Sequence, residues 1–124
     1  MTHTPQGIDH VALNVDDVPA AIAFYTEVMG LTLRDDRPEL GVAGAWLDAG
    51  GQQVHLIALP PPNNMGQHFA LLYANIDEVV ARLRSLGQSV SDPASSSPRR
   101  RQAFLQDPFG NTIELHQHDP DSAA

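Results

Sequence analysis

The stretch Leu47-Asp48-Ala49-Gly50-Gly51-Gln52-Gln53-Val54-His55-Leu56 returns later in the chain as Gln106-Asp107-Pro108-Phe109-Gly110-Asn111-Thr112-Ile113-Glu114-Leu115. Asp48 falls over Asp107, Gly51 over Gly110 and His55 over Glu114, an offset of 114 − 55 = 59. Upstream, His10-Val11-Ala12-Leu13 returns as His68-Phe69-Ala70-Leu71, an offset of 68 − 10 = 58. A chain that repeats itself in this way carries two copies of one supersecondary unit. Each copy offers two coordinating side chains at equivalent places. Two such pairs can gather around a pseudo-twofold axis as a four-ligand metal site.

Outward from the repeats, each half reads as strand, helix, then further strands. Ile8 to Val15 is a near-continuous apolar run and suits a strand covered on both faces. Asp16-Asp17 supply an N-cap, Pro19 falls in the first helical turn, and Val18, Ile22, Tyr25 and Met29 recur at helical spacing before Gly30 closes the helix. Strands are expected over 31–37, 43–48 and 53–59. In the second half, 67–73 reads as a strand, and Asn75 caps a helix whose buried side is Ile76, Val79, Val80, Leu83 and Leu86, ended by Gly87. Short strands are expected at 88–90, 101–106 and 112–116. The fold class is therefore α+β, two βαβββ modules in tandem within one domain over 1–124. Residues 7–59 form the first module, 60–66 a Pro-rich linker of extended type, and 67–118 the second. The tail after Asp119 is expected to fray.

Period 2 assigns faces. His10, Ala12 and Asn14 oppose Val11, Leu13 and Val15, and His68 and Ala70 oppose Phe69 and Leu71. Gln53 and His55 oppose Val54 and Leu56, and Thr112, Glu114 and His116 oppose Ile113 and Leu115. The apolar faces suit packing under helices, which leaves every ligand candidate on the opposite, functional face. Asp107-Pro108-Phe109-Gly110-Asn111 has turn chemistry and a structural role.

The chain of 124 residues has formal net charge −8, 42% hydrophobic residues and no cysteine. A domain of this size buries roughly two-thirds of its unfolded surface. The acidic balance argues against a nucleic acid as partner, since phosphate backbones are held by clustered Lys and Arg. No apolar run approaches the roughly 20 residues that span a bilayer, and residues 1–7 lack the marks of a secretory signal, so a cytoplasmic protein with no membrane partner is expected. Without cysteine, any metal must be held by His and carboxylate. Arg99-Arg100-Arg101 reads either as a solvated basic turn or as a loop bringing positive charge, Arg100 foremost, over an anionic substrate.

Imidazole with one carboxylate suits Zn, Ni, Mn, Fe or Co. A lone His in an apolar strand is more often a hydrogen-bonded core residue. Glu114 is different, because a carboxylate between Ile113 and Leu115 is costly to bury without a cation or strong hydrogen bonds. Four candidates on one face, related by the repeat, shift the reading to one divalent ion held by His10, His55, His68 and Glu114. Asn14, Gln53 and Thr112 share that face and could orient polar groups of a substrate. His116 and His118 fall outside the repeat and read as strand-end residues, His116 at the cavity rim, so replacing His116 is expected to leave metal binding nearly unchanged.

Ile8-Asp9-His10-Val11-Ala12-Leu13, Ala23-Phe24-Tyr25 with Gly30-Leu31, and Asp107 through Leu115 resemble the vicinal oxygen chelate superfamily, which includes glyoxalase I, fosfomycin-resistance thiol transferases, extradiol dioxygenases and metal-free bleomycin-binding proteins. The resemblance runs from about Gly7 to His116. It implies paired modules curled into a half-open barrel around a concave metal-binding cleft, commonly in a homodimer. His10, His68 and Glu114 match the superfamily's recurrent metal triad, and His55 stands where glyoxalase I carries a glutamate tied to proton transfer. The implied function is a small metal-dependent lyase or isomerase of glyoxalase-like type. Its metal acts as a Lewis acid on a small-molecule substrate with neighbouring oxygens, and Glu114 is the catalytic carboxylate. Thiol transfer, extradiol ring cleavage and non-catalytic drug binding are the competing readings.

Overall fold

The computed structural model describes residues 3–119, so the frayed tail expected after Asp119 lies outside the described residues. The chain divides into two compact units, 1–62 and 63–124.

The first unit runs β1 (His10–Asn14), α1 (Val18–Ala23), a wide helical turn (Phe24–Val28), β2 (Thr32–Leu33), β3 (Gly44–Ala49) and β4 (Gln52–Ile57). Its four strands lie in the order β1-β4-β3-β2, with β1 parallel to β4 and the other pairs antiparallel. Asp17 caps α1, its Oδ1 accepting from the Ala20 N–H at 3.0 Å. Phe24 and Tyr25 are adjacent and both buried. The helix widens here: the Met29 N–H reaches the Phe24 carbonyl five residues back, at 3.1 Å. The sequence reading had this helix continuous. Ala21, Tyr25, Leu47, Val54 and Leu56 form the core on that side of the sheet. Burying each large side chain stabilises the fold by about 1.5–3 kcal/mol.

The second unit runs β5 (His68–Leu72), α2 (Ile76–Ser85), β6 (Ala94–Ser97), β7 (Arg100–Gln106) and β8 (Thr112–His118), in sheet order β5-β8-β7-β6. Asn75 caps α2, with Oδ1 accepting from the Glu78 N–H at 3.2 Å. Ile76, Val80 and Leu83 of the helix are buried with Leu71, Ala103, Leu105, Ile113 and Leu115 of the sheet. Asp107 builds the β7–β8 turn, accepting the N–H groups of Phe109 and Asn111 at 2.9 Å each, with Gly110 at φ 89°. Each unit is thus βαβββ, and the α+β class with tandem modules is observed.

Three strand expectations need correction, the first being that the strand expected over 31–37 is confined to Thr32–Leu33. The strand expected at 88–90 lies instead at Ala94–Ser97, in the stretch read as a loop. All four of its side chains are exposed, so it is held by backbone pairing to β7 alone and shows no apolar period. β1 is not covered on both faces: it is an outer strand, and His10 and Ala12 are exposed.

Candidate functional site

The registers fix which side chains share a face. In the first unit His55 lies opposite Ala12 of β1 and Trp46 of β3, while His10 lies opposite Gln53. The rings of His10 and His55 stack, with centroids 3.9 Å apart and planes 17° apart. His10 Nδ1 is bonded to Asp9 Oδ2 at 2.8 Å, which leaves Nε2 with its lone pair as the open nitrogen. His55 is arranged the other way, Nε2 bonded to Gln53 Oε1 at 2.8 Å and Nδ1 left over. Burial, and then the charge of the neighbouring His10, push the His55 imidazole below its ordinary range. His55 is therefore neutral near pH 7 and able to donate a lone pair.

In the second unit Ala70 and Phe104 flank Glu114 across the sheet. Glu114 is 9% exposed, the one buried residue among the described carboxylates besides Asp107 of the turn. His68 Nδ1 bonds the Gly66 carbonyl at 2.8 Å, again leaving Nε2 open. That Nε2 stands 3.3 Å from Glu114 Oε1. Two ligands about 2.1 Å from one ion lie about 3.0 Å apart at a right angle and about 3.4 Å apart at a tetrahedral one. The His68–Glu114 spacing falls in that span. The outer nitrogens of His10 and His68 also have the partners, a carboxylate and a carbonyl, that normally fix a ligating imidazole. The donor set suits a divalent ion.

Each unit by itself thus brings together its own repeat-related pair. Among the described residues no group of three or more His, Cys, Asp and Glu is arranged to hold an ion.

The other sequence candidates have separate placements. Asn14 donates its amide N–H to the Pro60 carbonyl at 3.1 Å and so fastens the chain leaving β4. Gln53 holds His55. Thr112 lines an open cavity of about 720 Å³ with His68, Gln88, Ser89, Phe104 and Gln106. Its hydroxyl is buried and has no hydrogen-bond partner among the described residues. Arg100 is exposed at the start of β7, opposite His118, and by alternation shares the face of Phe104 and Glu114. Arg101 points the other way and pairs with Asp77 of α2 at 2.6 and 3.1 Å.

One residue was misjudged from the sequence. His116 is not a rim residue: its side chain is 14% exposed, and Nδ1 lies 2.6 Å from Glu114 Oε2. The repeat gave no signal, because the position equivalent to His116 in the first module is Ile57 (116 − 59 = 57). The signal available was period 2, which sets His116 beside Glu114 on one face.

Comparisons with known proteins bear on this arrangement. The model of the Glyoxalase/Bleomycin resistance protein/Dioxygenase superfamily matches residues 7–115. A lactoylglutathione lyase of Salmonella typhimurium is 31% identical over 119 residues, 86% of this chain and 88% of that protein. A lactoylglutathione lyase of Arabidopsis thaliana is 31% identical over 124 residues, and there the chain spans only 44% of the relative's length. Among solved structures, a glyoxalase family protein from Bacillus anthracis superposes with a TM-score of 0.84 at 30% identity, covering 96% of this chain and 100% of the other. The E126Q mutant of the fosfomycin resistance protein FosX from Listeria monocytogenes, complexed with Mn(II), shares the fold, with a TM-score of 0.80 at 17% identity.

Proposed function

We propose, on the premise that this chain belongs to the Glyoxalase/Bleomycin resistance protein/Dioxygenase superfamily, that it is a metal-dependent enzyme of the glyoxalase-like kind, moving a proton on a small substrate that carries neighbouring oxygens. The observation that carries this reading is the buried Glu114 carboxylate with Oε1 3.3 Å from His68 Nε2. A buried carboxylate flanked by Ala70 and Phe104 is costly unless a cation or strong donors face it.

In this reading the residues that would hold a divalent ion are the pair His10 and His55 and the pair His68 and Glu114. Bound there, the ion supplies Lewis acidity toward the substrate's adjacent oxygens. The chain's own residues do the rest. Asp9 and the Gly66 carbonyl keep the His10 and His68 rings turned so that Nε2 faces outward. The Glu114 carboxylate is the group through which the proton is moved. The unpartnered Thr112 hydroxyl and the exposed Arg100 guanidinium contact polar or anionic parts of the substrate, and Gln53 keeps His55 in place. The outer strands β1 and β5 leave backbone groups for pairing, which favours a homodimer.

The test is elemental analysis of untagged protein, followed by turnover on hemithioacetals, epoxides and catechols before and after chelation. About one equivalent of Zn, Ni, Mn, Fe or Co per chain, with activity lost on chelation and restored by metal, is expected. Well under half an equivalent, with no uptake on titration, removes the proposal.

A further inference from the structure

We propose that His116 is the positioning residue of Glu114: its Nδ1–H holds Oε2, so that Oε1 alone is left to meet a cation beside His68. The inference rests on the metal reading above and adds to it a residue that neither the repeat nor the family match singles out.

Alternate side chains on one strand face normally stand side by side without touching. Here they lean together until Nδ1 and Oε2 are 2.6 Å apart, the short end of a charge-assisted hydrogen bond. An ionised carboxylate only accepts, so the hydrogen sits on Nδ1. The cross-strand neighbours of Glu114 are Ala70 and Phe104, neither with a polar side chain, and those of His116 are Leu72 and Gln102. His68 stands at the other oxygen.

The second nitrogen of His116 points the same way. Nε2 is buried and has no hydrogen-bond partner among the described residues, so the ring makes a single hydrogen bond, the one to Glu114. His118 packs edge-on against that ring, centroids 5.2 Å apart and planes at 90°, which limits its rotation. A histidine kept only to fill space in an apolar sheet would leave a costly orphan nitrogen for no return, and an aliphatic residue would serve better. Partners that orient a ligand in this way typically change metal affinity 10- to 100-fold when removed. With Oε2 occupied, Oε1 would be the one oxygen of Glu114 left to hold a cation.

The experiment compares the full chain with His116→Asn, His116→Gln and His116→Phe. The amide nitrogen of Asn falls near the place of Nδ1, whereas that of Gln falls near Nε2. Metal-stripped proteins are titrated with Mn(II) and Co(II) by calorimetry, and the Co(II) visible absorption is recorded. His116→Gln and His116→Phe should bind at least tenfold more weakly, with an altered Co(II) spectrum as Oε2 is released. His116→Asn should stay within about threefold of the parent and keep its spectrum. Parent-like affinity and spectrum in His116→Gln overturn the inference while leaving the metal reading intact, and equal weakening in Asn and Gln assigns His116 to packing and also overturns it. A parent that takes up neither ion removes the metal reading, and this inference with it. Should the variants fail to fold, imidazole 15N–1H correlation on the metal-free parent decides. A proton on Nδ1 of His116 that is lost or shifted in Glu114→Gln supports the bond, and a bare Nδ1 overturns it.

Discussion

The indole of Trp46 lies flat against the imidazole of His55, with ring centroids 4.6 Å apart and planes 11° apart. His10 covers the opposite side of the same imidazole. The His55 ring is therefore clamped between two others, and Gln53 fixes its rotation from the edge. A side chain held on three sides loses little further freedom when it binds something.

The clamp has a titration consequence. Burial and the adjacent His10 lower the His55 pKa from its ordinary 6.5. A group whose folded pKa is depressed contributes stability that is complete above the unfolded value and is lost as pH falls through the folded one. Metal-free protein should thus lose stability as pH drops below about 6.5. NMR titration should show His55 protonating at lower pH than a free histidine, and His10→Ala should move it back upward by removing both cover and charge. A His55 that titrates at the ordinary value in both proteins contradicts the arrangement.

Glu114→Gln keeps the size of the side chain and removes the anion. Metal affinity should fall at least tenfold, about 1.4 kcal/mol. Calorimetric titration with Mn(II) reads it directly, and an unchanged affinity would take Glu114 out of the ligand set.

Gly44→Ala tests the close approach of β3 to β4. A Cβ at that position would collide with the Leu56 carbonyl and lie 2.8 Å from the Arg37 guanidinium, itself bonded to the Val42 carbonyl. The guanidinium can shift but the backbone carbonyl cannot, so the first unit should be destabilised by about 1–3 kcal/mol. Thermal denaturation measures the loss. A melting curve that does not move would mean the strand can slide to make room.

Neighbouring arginines should behave differently. Arg101→Ala breaks an exposed ion pair with Asp77 and should barely move the melting curve, with metal binding and turnover unaltered. Arg100→Ala should leave the melting curve in place and raise KM for an anionic substrate, since Arg100 is on the face of Glu114. Matching kinetic profiles for the two variants would exclude that role for Arg100.

Much of the molecule was legible in the sequence because its signals are local or periodic. Asp17 and Asn75 mark both helix starts, Gly30 and Gly87 both ends, and Asp107 with Gly110 the final turn. Alternation placed His10, His55, His68 and Glu114 on their faces correctly. What escaped has no period to detect. Ala94–Ser97 is an edge strand of exposed small residues, stabilised only by backbone bonds that any sequence can make. The widened turn at Phe24 is a single backbone bond running five residues back, which leaves the apolar spacing around it readable as ordinary helix. The His116–Glu114 contact exists in one module only, with Ile57 at the equivalent place in the other, so the repeat carries no trace of it.

The wide turn explains a discrepancy between the modules. From cap to closing glycine the first helix spans 30 − 17 = 13 positions and the second 87 − 75 = 12. The surplus residue is accommodated in the Phe24–Met29 loop of backbone, where the bond runs five residues back rather than four. Excising Glu27, exposed within that turn, should convert the Met29-to-Phe24 bond into an ordinary helical one and return Gly30 to its place. The shortened chain should fold and melt close to the parent. Excising a single residue from α2 has no such slack to draw on. It would swing Gly87 and everything after it by about 100° around the helix axis, and that chain should not fold. In this protein, then, one helix tolerates a change of length and its counterpart does not.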